Sequence, residues 1–269
     1  MEDIIGQNVI NEGEQVPTLT REEESMVRVM MEAGLFYGLN RSKTNPKMKP
    51  YLSSTKSGIE IINLVQTLKS LNIASQVIKE KIKAGGLLLV VGTTPAVKVS
   101  VKEMGKRLGI SYTTERWLGG TLTNFKTITA RIQYLKKLRS DKESGKLEKY
   151  TKKERLNIER EMAKLEKFLS GLETMDKMPA AIIIFDLQSH GLIAKEARRM
   201  KVTSIAISNT SSDPEEVDYP IVSNDRNPKS IDFIVSYLSK AIEDGRKEAA
   251  EAAQMAKATE VKETDDKSR

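Results

Sequence analysis

The chain has no cysteine, one histidine and one tryptophan in 269 residues. Without thiols there is neither a disulfide framework nor a thiolate metal site, and a reducing compartment is the expected setting. With His190 alone, a Ser-His-Asp arrangement must run through that one residue, and a zinc site lacks a second soft ligand. Its place at a predicted helix start, Ser189-His190-Gly191, favours a local capping or surface role. Long apolar runs are missing too: none approaches the ~18 residues of a membrane span. Residues 1–13 are acidic, unlike an export signal. The expected location is cytoplasmic, with no membrane partner. Aromatics are only 5% of residues, which argues against a platform that stacks single strands of nucleic acid.

What is present is positive charge, and it is concentrated. The net charge of +7 favours a polyanionic partner. Residues 131–167 hold 13 Lys/Arg against 7 Asp/Glu, and residues 41–56 hold five basic residues (Arg41, Lys43, Lys47, Lys49 and Lys56) with no acid.

Residues 1–19 have no apolar period and read as a flexible arm. Thr20 and Glu23 make a capping box ahead of Met26, Val29, Met30 and Ala33, one face of a short helix that Gly34 ends. A strand is expected over 59–63, an amphipathic helix over 64–83 and, after Gly85-Gly86, an uninterrupted apolar strand over 87–91. Such a run suits a parallel strand covered on both faces. A helix over 94–108 stopped by Gly109 and a short strand over 111–114 follow. Beyond Pro179 the alternation resumes, with strands over 180–185, 202–207 and 219–222 and helices over 191–200 and 230–243, the last opened by Pro228. This alternation predicts an α/β fold with a doubly wound parallel sheet.

Between the two halves the period changes. Apolar residues step through 125, 128, 132 and 135, a polar turn lies near 140–145, and Ile158, Met162, Leu165, Leu169 and Leu172 step back. That spacing predicts an antiparallel coiled-coil hairpin over 124–175, inserted between the third and fourth strands of a body made of 20–123 and 176–245. Residues 246–269 read as a charged, disordered or frayed-helical tail. At the junction stand Arg116-Trp117-Leu118-Gly119-Gly120-Thr121-Leu122-Thr123-Asn124-Phe125, with the only tryptophan. We read Trp117 as a wedge under the hairpin, Gly119 and Gly120 as the turn and a close backbone approach, and Arg116 and Asn124 as the residues there that reach outward.

The carboxyl ends of the strands, Gly92-Thr93-Thr94, Asp186-Leu187-Gln188, Ser208-Asn209-Thr210 and Asn224-Asp225, are small and polar. An α/β enzyme binding a nucleotide or sugar phosphate would use such positions, and that is the alternative reading. Against it, there is no Walker loop and no dinucleotide fingerprint, since Gly85-Gly86 precedes its strand. Asp186 is a single carboxylate at a buried strand end, and whether Asp213, Asp218 or Asp225 joins it is open. No catalytic residue, metal ligand, cofactor or small-molecule substrate is expected. Binding is carried by Arg41, Lys43, Lys47 and Lys49, on a loop stiffened by Pro46 and Pro50, and by the hairpin's Arg131, Lys136, Lys137 and Arg139. With no base-reading module, the expected mode is phosphate and sugar contact with a folded RNA, recognised by shape.

Several short motifs stand in order: Met31-Glu32-Ala33-Gly34, Asn45-Pro46-Lys47-Met48-Lys49-Pro50-Tyr51, Gly58-Ile59, Ile61-Ile62-Asn63-Leu64, Val91-Gly92-Thr93, the 116–124 run, Glu196-Ala197, Asp213-Pro214 and Asn224-Asp225. Over roughly residues 20–245 the chain resembles the bacterial-type ribosomal protein S-two family. The resemblance implies a flavodoxin-like three-layer body with a coiled-coil protrusion and a non-catalytic place in the small ribosomal subunit. It also implies 16S-type rRNA and neighbouring small-subunit proteins as partners, among them the large OB-fold protein S-one. The chain departs from the family at Phe36-Tyr37-Gly38-Leu39, where His-Phe-Gly-His is usual, and at Thr94, where a lysine is usual. The eukaryotic relative known as a laminin receptor has an acidic, tryptophan-bearing C-terminus; residues 245–269 have no tryptophan.

Overall fold

Strands that are apolar on both sides are stable only between two layers of helices, and two segments of this chain have that character. In the computed structural model, which describes residues 20–266 and their side chains as far as 252, β4 (Leu88–Val91) and β6 (Ala181–Phe185) are buried at every position. The N-terminal arm expected over 1–19 lies outside the described residues. With β5 (Ser111–Thr113), β7 (Thr203–Ser208) and β8 (Tyr219–Val222), these strands form one sheet in the order β5-β4-β6-β7-β8. Every neighbouring pair is parallel, with Val90 opposite Ile183, Ile183 opposite Ile205 and Ile207 opposite Ile221. Numbered within the sheet this is 2-1-3-4-5, a doubly wound order.

Alternate residues serve opposite faces. Leu88, Val90, Ile183, Ile205 and Ile207 pack under α2 (Leu64–Lys83), α3 (Pro95–Leu108) and α7 (Pro228–Asp266). Leu89, Val91, Ile182, Ile184 and Ala206 pack on the other side, under α6 (Gly191–Met200) and the base of two further helices, α4 (Phe125–Glu143) and α5 (Lys152–Leu169). Burying one such aliphatic side chain stabilises the fold by about 1.5–3 kcal/mol. Polar truncation at Ile183 would therefore strike both neighbouring strands.

The local signals act as their chemistry directs. Thr20 and Glu23 close a capping box on α1 (Arg21–Glu32), and Asn63 accepts from the amides of Val65 and Gln66 to cap α2. On α1, Met30 is buried but Val29 is 48% exposed, so the apolar face is narrower than its sequence period suggests.

Three expectations need correction. The strand predicted over 59–63 is not part of the parallel sheet. It is β3 (Ile59–Ile62), the centre of a separate antiparallel sheet, β1-β3-β2, with β1 (Tyr37–Asn40) and β2 (Leu52–Lys56). Segments 124–175 consequently fall between the second and third strands of the parallel sheet, not the third and fourth. The basic loop expected over 41–50 is two 3-10 turns, Arg41–Lys43 and Pro46–Tyr51, because Asn45 caps the second and Met48 anchors it in the interior. Finally, the last helix does not stop at Glu243. It runs on to Asp266, with Arg246 donating to the Leu108 carbonyl and Glu248 pairing with Lys83 at 2.5 Å.

Candidate nucleic-acid interface

The segment that leads into α4 is tied down by one side chain. Glu196, on α6 and only 6% exposed, accepts from Trp117 Nε1 at 3.1 Å and from the Gly120 amide at 2.9 Å through one oxygen. Its other oxygen accepts from the Leu122 and Thr123 amides at 3.1 and 3.2 Å and from the Thr123 hydroxyl at 3.3 Å. Burial alone would raise this carboxyl; the donors from Gly120, Trp117, Thr123 and Leu122 outweigh it and hold the group below its ordinary value. Gly120 is needed for its left-handed backbone, φ +90°, which turns its amide toward Glu196. The close approach expected at Gly119 is not there: a Cβ at that position would meet only Leu192, at 3.8 Å.

Trp117 is buried with Leu122, Ile128 and Leu172 in the core that continues under the sheet. From this base α4 and α5 run side by side, with Ile128, Ile132, Leu135 and Leu138 buried with Met162, Leu165 and Leu169. The returning chain closes the base. A Cβ on Gly171 would lie 2.2 Å from the Tyr112 carbonyl, so only glycine lets it cross the edge strand so closely.

The ten residues that sequence pointed to for RNA contact divide by what they already touch. Arg139 bridges Glu166 at 2.8 Å and Glu173 at 2.9 Å, and Lys136 donates to the Glu173 carbonyl at 3.2 Å. Asn124 accepts from the Thr127 hydroxyl at 2.7 Å. Lys47 pairs with Asp213 at 2.8 Å and Glu215 at 2.5 Å, and these hydrogen bonds raise the lysine and lower Asp213 from their ordinary values. Arg41, Lys43, Lys49, Arg116, Arg131 and Lys137 are all exposed, and among the described residues none has a carboxylate within ion-pair distance. Arg131 and Lys137 are both on α4, whereas Arg41, Lys43 and Lys49 are on the 3-10 turns.

Those turns cover the carboxyl ends of the sheet. The Leu39 amide donates to the Thr210 hydroxyl at 3.0 Å, and the Asn45 amide to the Thr210 carbonyl at 2.8 Å. Several polar groups at these ends are hydrogen-bonded, whereas the buried hydroxyls of Thr94, Ser208 and Ser223 have no partner among the described residues. Thr93 and His190 Nε2 are 2.9 Å apart, His190 Nδ1 meets the Asp186 carbonyl at 2.8 Å, and Ser189 donates to Asp186 at 2.6 Å. Asn209 donates to Asp225 at 2.7 Å, and Asn224 to the Gly34 carbonyl at 3.2 Å. His190 is therefore a buried link and not a surface residue. Asp213 and Asp218 are held elsewhere, by Lys47 and Ser204; only Asp225 lies close enough for Asp186 to influence it, and burial raises it first. A cavity of about 70 Å³, lined by Gly86, Gly109, Ser111 and Arg246 among others, sits at the opposite, amino end of the strands.

Comparison with known proteins points one way. The sequence model of a family described as Ribosomal protein S2 matches residues 30–245. The small ribosomal subunit protein uS2 of Mycobacterium leprae is 39% identical over 219 residues, covering 81% of this chain and 79% of that protein. The protein of the same name from Corynebacterium kroppenstedtii is 39% identical over 229 residues (85% of this chain, 80% of the relative). The one from Roseiflexus sp. is 38% identical over 228 residues (84% and 87%).

Proposed function

The chain belongs to the ribosomal protein S2 family, and from that premise we propose that it is a structural, non-enzymatic component of the small ribosomal subunit. In this reading it binds folded rRNA through two groups of unpaired cations. One group is Arg41, Lys43 and Lys49 on the 3-10 turns; the other is Arg131 and Lys137 on the helix pair, with Arg116 at its base. Residues 124–175 act as an inserted coiled-coil hairpin on a flavodoxin-like body of 20–123 and 176–245, and the Glu196 knot sets the angle at which it leaves. The partners are rRNA and neighbouring small-subunit proteins, with the large OB-fold protein S-one as a further candidate, and the working place is the cytoplasmic ribosome.

The observation that carries the reading is the division of charges. Among the described residues, carboxylates occupy Lys47 and Arg139, whereas Arg41, Lys43, Lys49, Arg116, Arg131 and Lys137 are exposed without one and Lys136 meets only a backbone carbonyl. Unpaired cations release counterions when they meet phosphates, which is the main driving term for nucleic-acid binding. The rival enzymatic reading needs reactive groups free at the strand ends, and there His190 is bonded to Thr93 and Asp225 to Asn209, while the buried groups left without a partner among the described residues are hydroxyls, those of Thr94, Ser208 and Ser223 among them. The test is binding of the full chain to small-subunit rRNA across a salt series. Six phosphate contacts predict a loss of about a thousandfold between 50 and 200 mM salt, and a nearly salt-independent affinity would refute the proposal. Co-sedimentation with small subunits, and capture of S-one by subunits carrying or lacking the chain, test the assembly.

A further inference from the structure

Aromatic residues are scarce in the whole chain, yet two of its seven tyrosines stand exposed on the helix pair and the turn that joins it. Tyr134, on α4, is 42% exposed and lies one turn from Arg131 on one side and Lys137 on the other, so the three share a stripe. The 3-10 turn Lys146–Lys149 folds back along α4, and Tyr150 after it is 39% exposed, with Lys149 Nζ 5.3 Å from its ring centroid. Burial first, and then the charge and hydrogen bond of Glu161, raise the Tyr134 hydroxyl. Tyr134 donates to Glu161 at 3.5 Å, a long bond at the edge of its ring. Neither ring belongs to the interior of the helix pair, which Ile128, Ile132, Leu135, Met162 and Leu165 fill.

Cations alone treat paired and unpaired RNA alike, because both present phosphates. A ring is useful only to a base that has left its stack, since bases inside a duplex are already covered. An apolar protein partner is a poor fit here, because Arg131 and Lys137 stand one turn either side of Tyr134 on its helix and Lys149 lies over the Tyr150 ring. We infer that this flank receives an unpaired stretch of RNA, with bases stacked on Tyr134 and Tyr150 and phosphates held by Arg131, Lys137 and Lys149. The inference rests on the RNA-binding reading above and adds to it the kind of RNA taken at this site.

The experiment compares the full chain with its Tyr134→Leu/Tyr150→Leu and Tyr134→Phe/Tyr150→Phe forms, each checked for unchanged melting. The probes are a short RNA stem–loop with an unpaired loop and a fully paired RNA of equal length. The wild-type chain and the Phe form are expected to prefer the stem–loop, and the Leu form to lose that preference by roughly fivefold to a hundredfold per stacked base, with duplex affinity unchanged. If wild type and the Leu form bind both probes equally while small-subunit rRNA still binds with steep salt dependence, this inference is overturned and the general reading stands. If the wild-type chain binds none of these RNAs in a salt-dependent way, both fall. Ultraviolet cross-linking in assembled subunits that joins Tyr134 and Tyr150 to protein alone would also overturn it.

Discussion

Glu196 and Asp225 are both buried carboxylates, 6% and 7% exposed, and the fold uses them in opposite ways. Glu196 sits at the base of the helix pair and receives five donors, all from the stretch of chain between residues 117 and 123. Asp225 sits at the carboxyl end of the sheet and receives one side-chain donor, from Asn209, with Asp186 close enough to oppose its charge. The first is held below its ordinary carboxyl value and the second above it. Exposure is nearly equal, so exposure does not decide the outcome; Asp225 is the more heavily desolvated and has one side-chain donor to offset that, whereas Glu196 has five. A carboxylate with a full set of donors can organise a junction while ionised. One with a single donor, next to a second acid, is stable only as part of a closed polar packing.

The strongest way to break this comparison is Glu196→Ala. It strands the buried Trp117 N–H and the amides of Gly120 and Leu122, and a few unsatisfied buried groups of this kind cost about 3 kcal/mol in all. Denaturant unfolding followed by the fluorescence of Trp117, the only tryptophan, reads the loss directly. A cost below about 1 kcal/mol would mean that packing, not Glu196, fixes the junction. In rRNA binding, the same variant is expected to weaken the contacts made by Arg131 and Lys137 while sparing those of Lys43 and Lys49.

A pH series sharpens the contrast, because the two groups move stability in opposite directions. For Glu196 the folded value is lowered, so its contribution is present above the unfolded value of about 4.3 and disappears as pH falls through the folded one. For Asp225 the folded value is raised, so its contribution is present below about 3.9 and is lost as pH rises through the folded value. Asp225→Asn, which keeps an oxygen for Asn209, should therefore stabilise the protein by about 1 kcal/mol at pH 7. The gain should vanish below about pH 4. Thermal melts at the two pH values decide it; a gain that persists in acid, or a loss at neutral pH, contradicts the assignment.

The body of the fold was written plainly in the sequence because its signals are local. Leu88–Val91 and Ala181–Phe185 are continuous apolar runs, and the helices over 64–83 and 191–200 begin and end where their caps and periods say. The strands β1 and β2 were not legible: Tyr-Gly-Leu-Asn and Leu-Ser-Ser-Thr-Lys have neither alternation nor bulk, and they are strands only because Ile59–Ile62 lies between them. Glu196 was visible as part of a Glu-Ala pair, but its donors stand more than seventy residues away and most are backbone amides, which no side-chain pattern records. A composition average likewise passes over position: Tyr134 and Tyr150, sixteen residues apart, are both exposed on the helix pair and its turn.

The smallest expected effects separate the cations as Glu196 and Asp225 separate the carboxylates. Arg139 joins Glu166 and Glu173 across the two helices, so Arg139→Gln should cost roughly 0.5–1 kcal/mol in stability, the range of a partly exposed ion pair. Because its charge is already matched, the salt dependence of rRNA binding should hardly change. Lys137→Gln should do the reverse: no measurable loss of stability, and a salt slope flatter by about one contact. Lys47 sharpens the point, since its partners Asp213 and Glu215 are themselves on the surface. Lys47→Gln is expected to leave stability unchanged within measurement and to leave the salt slope where it was. If it flattens the slope as much as Lys137→Gln does, an ion pair in the free protein does not keep a cation from RNA. The division between paired and unpaired cations would then no longer mark out the interface.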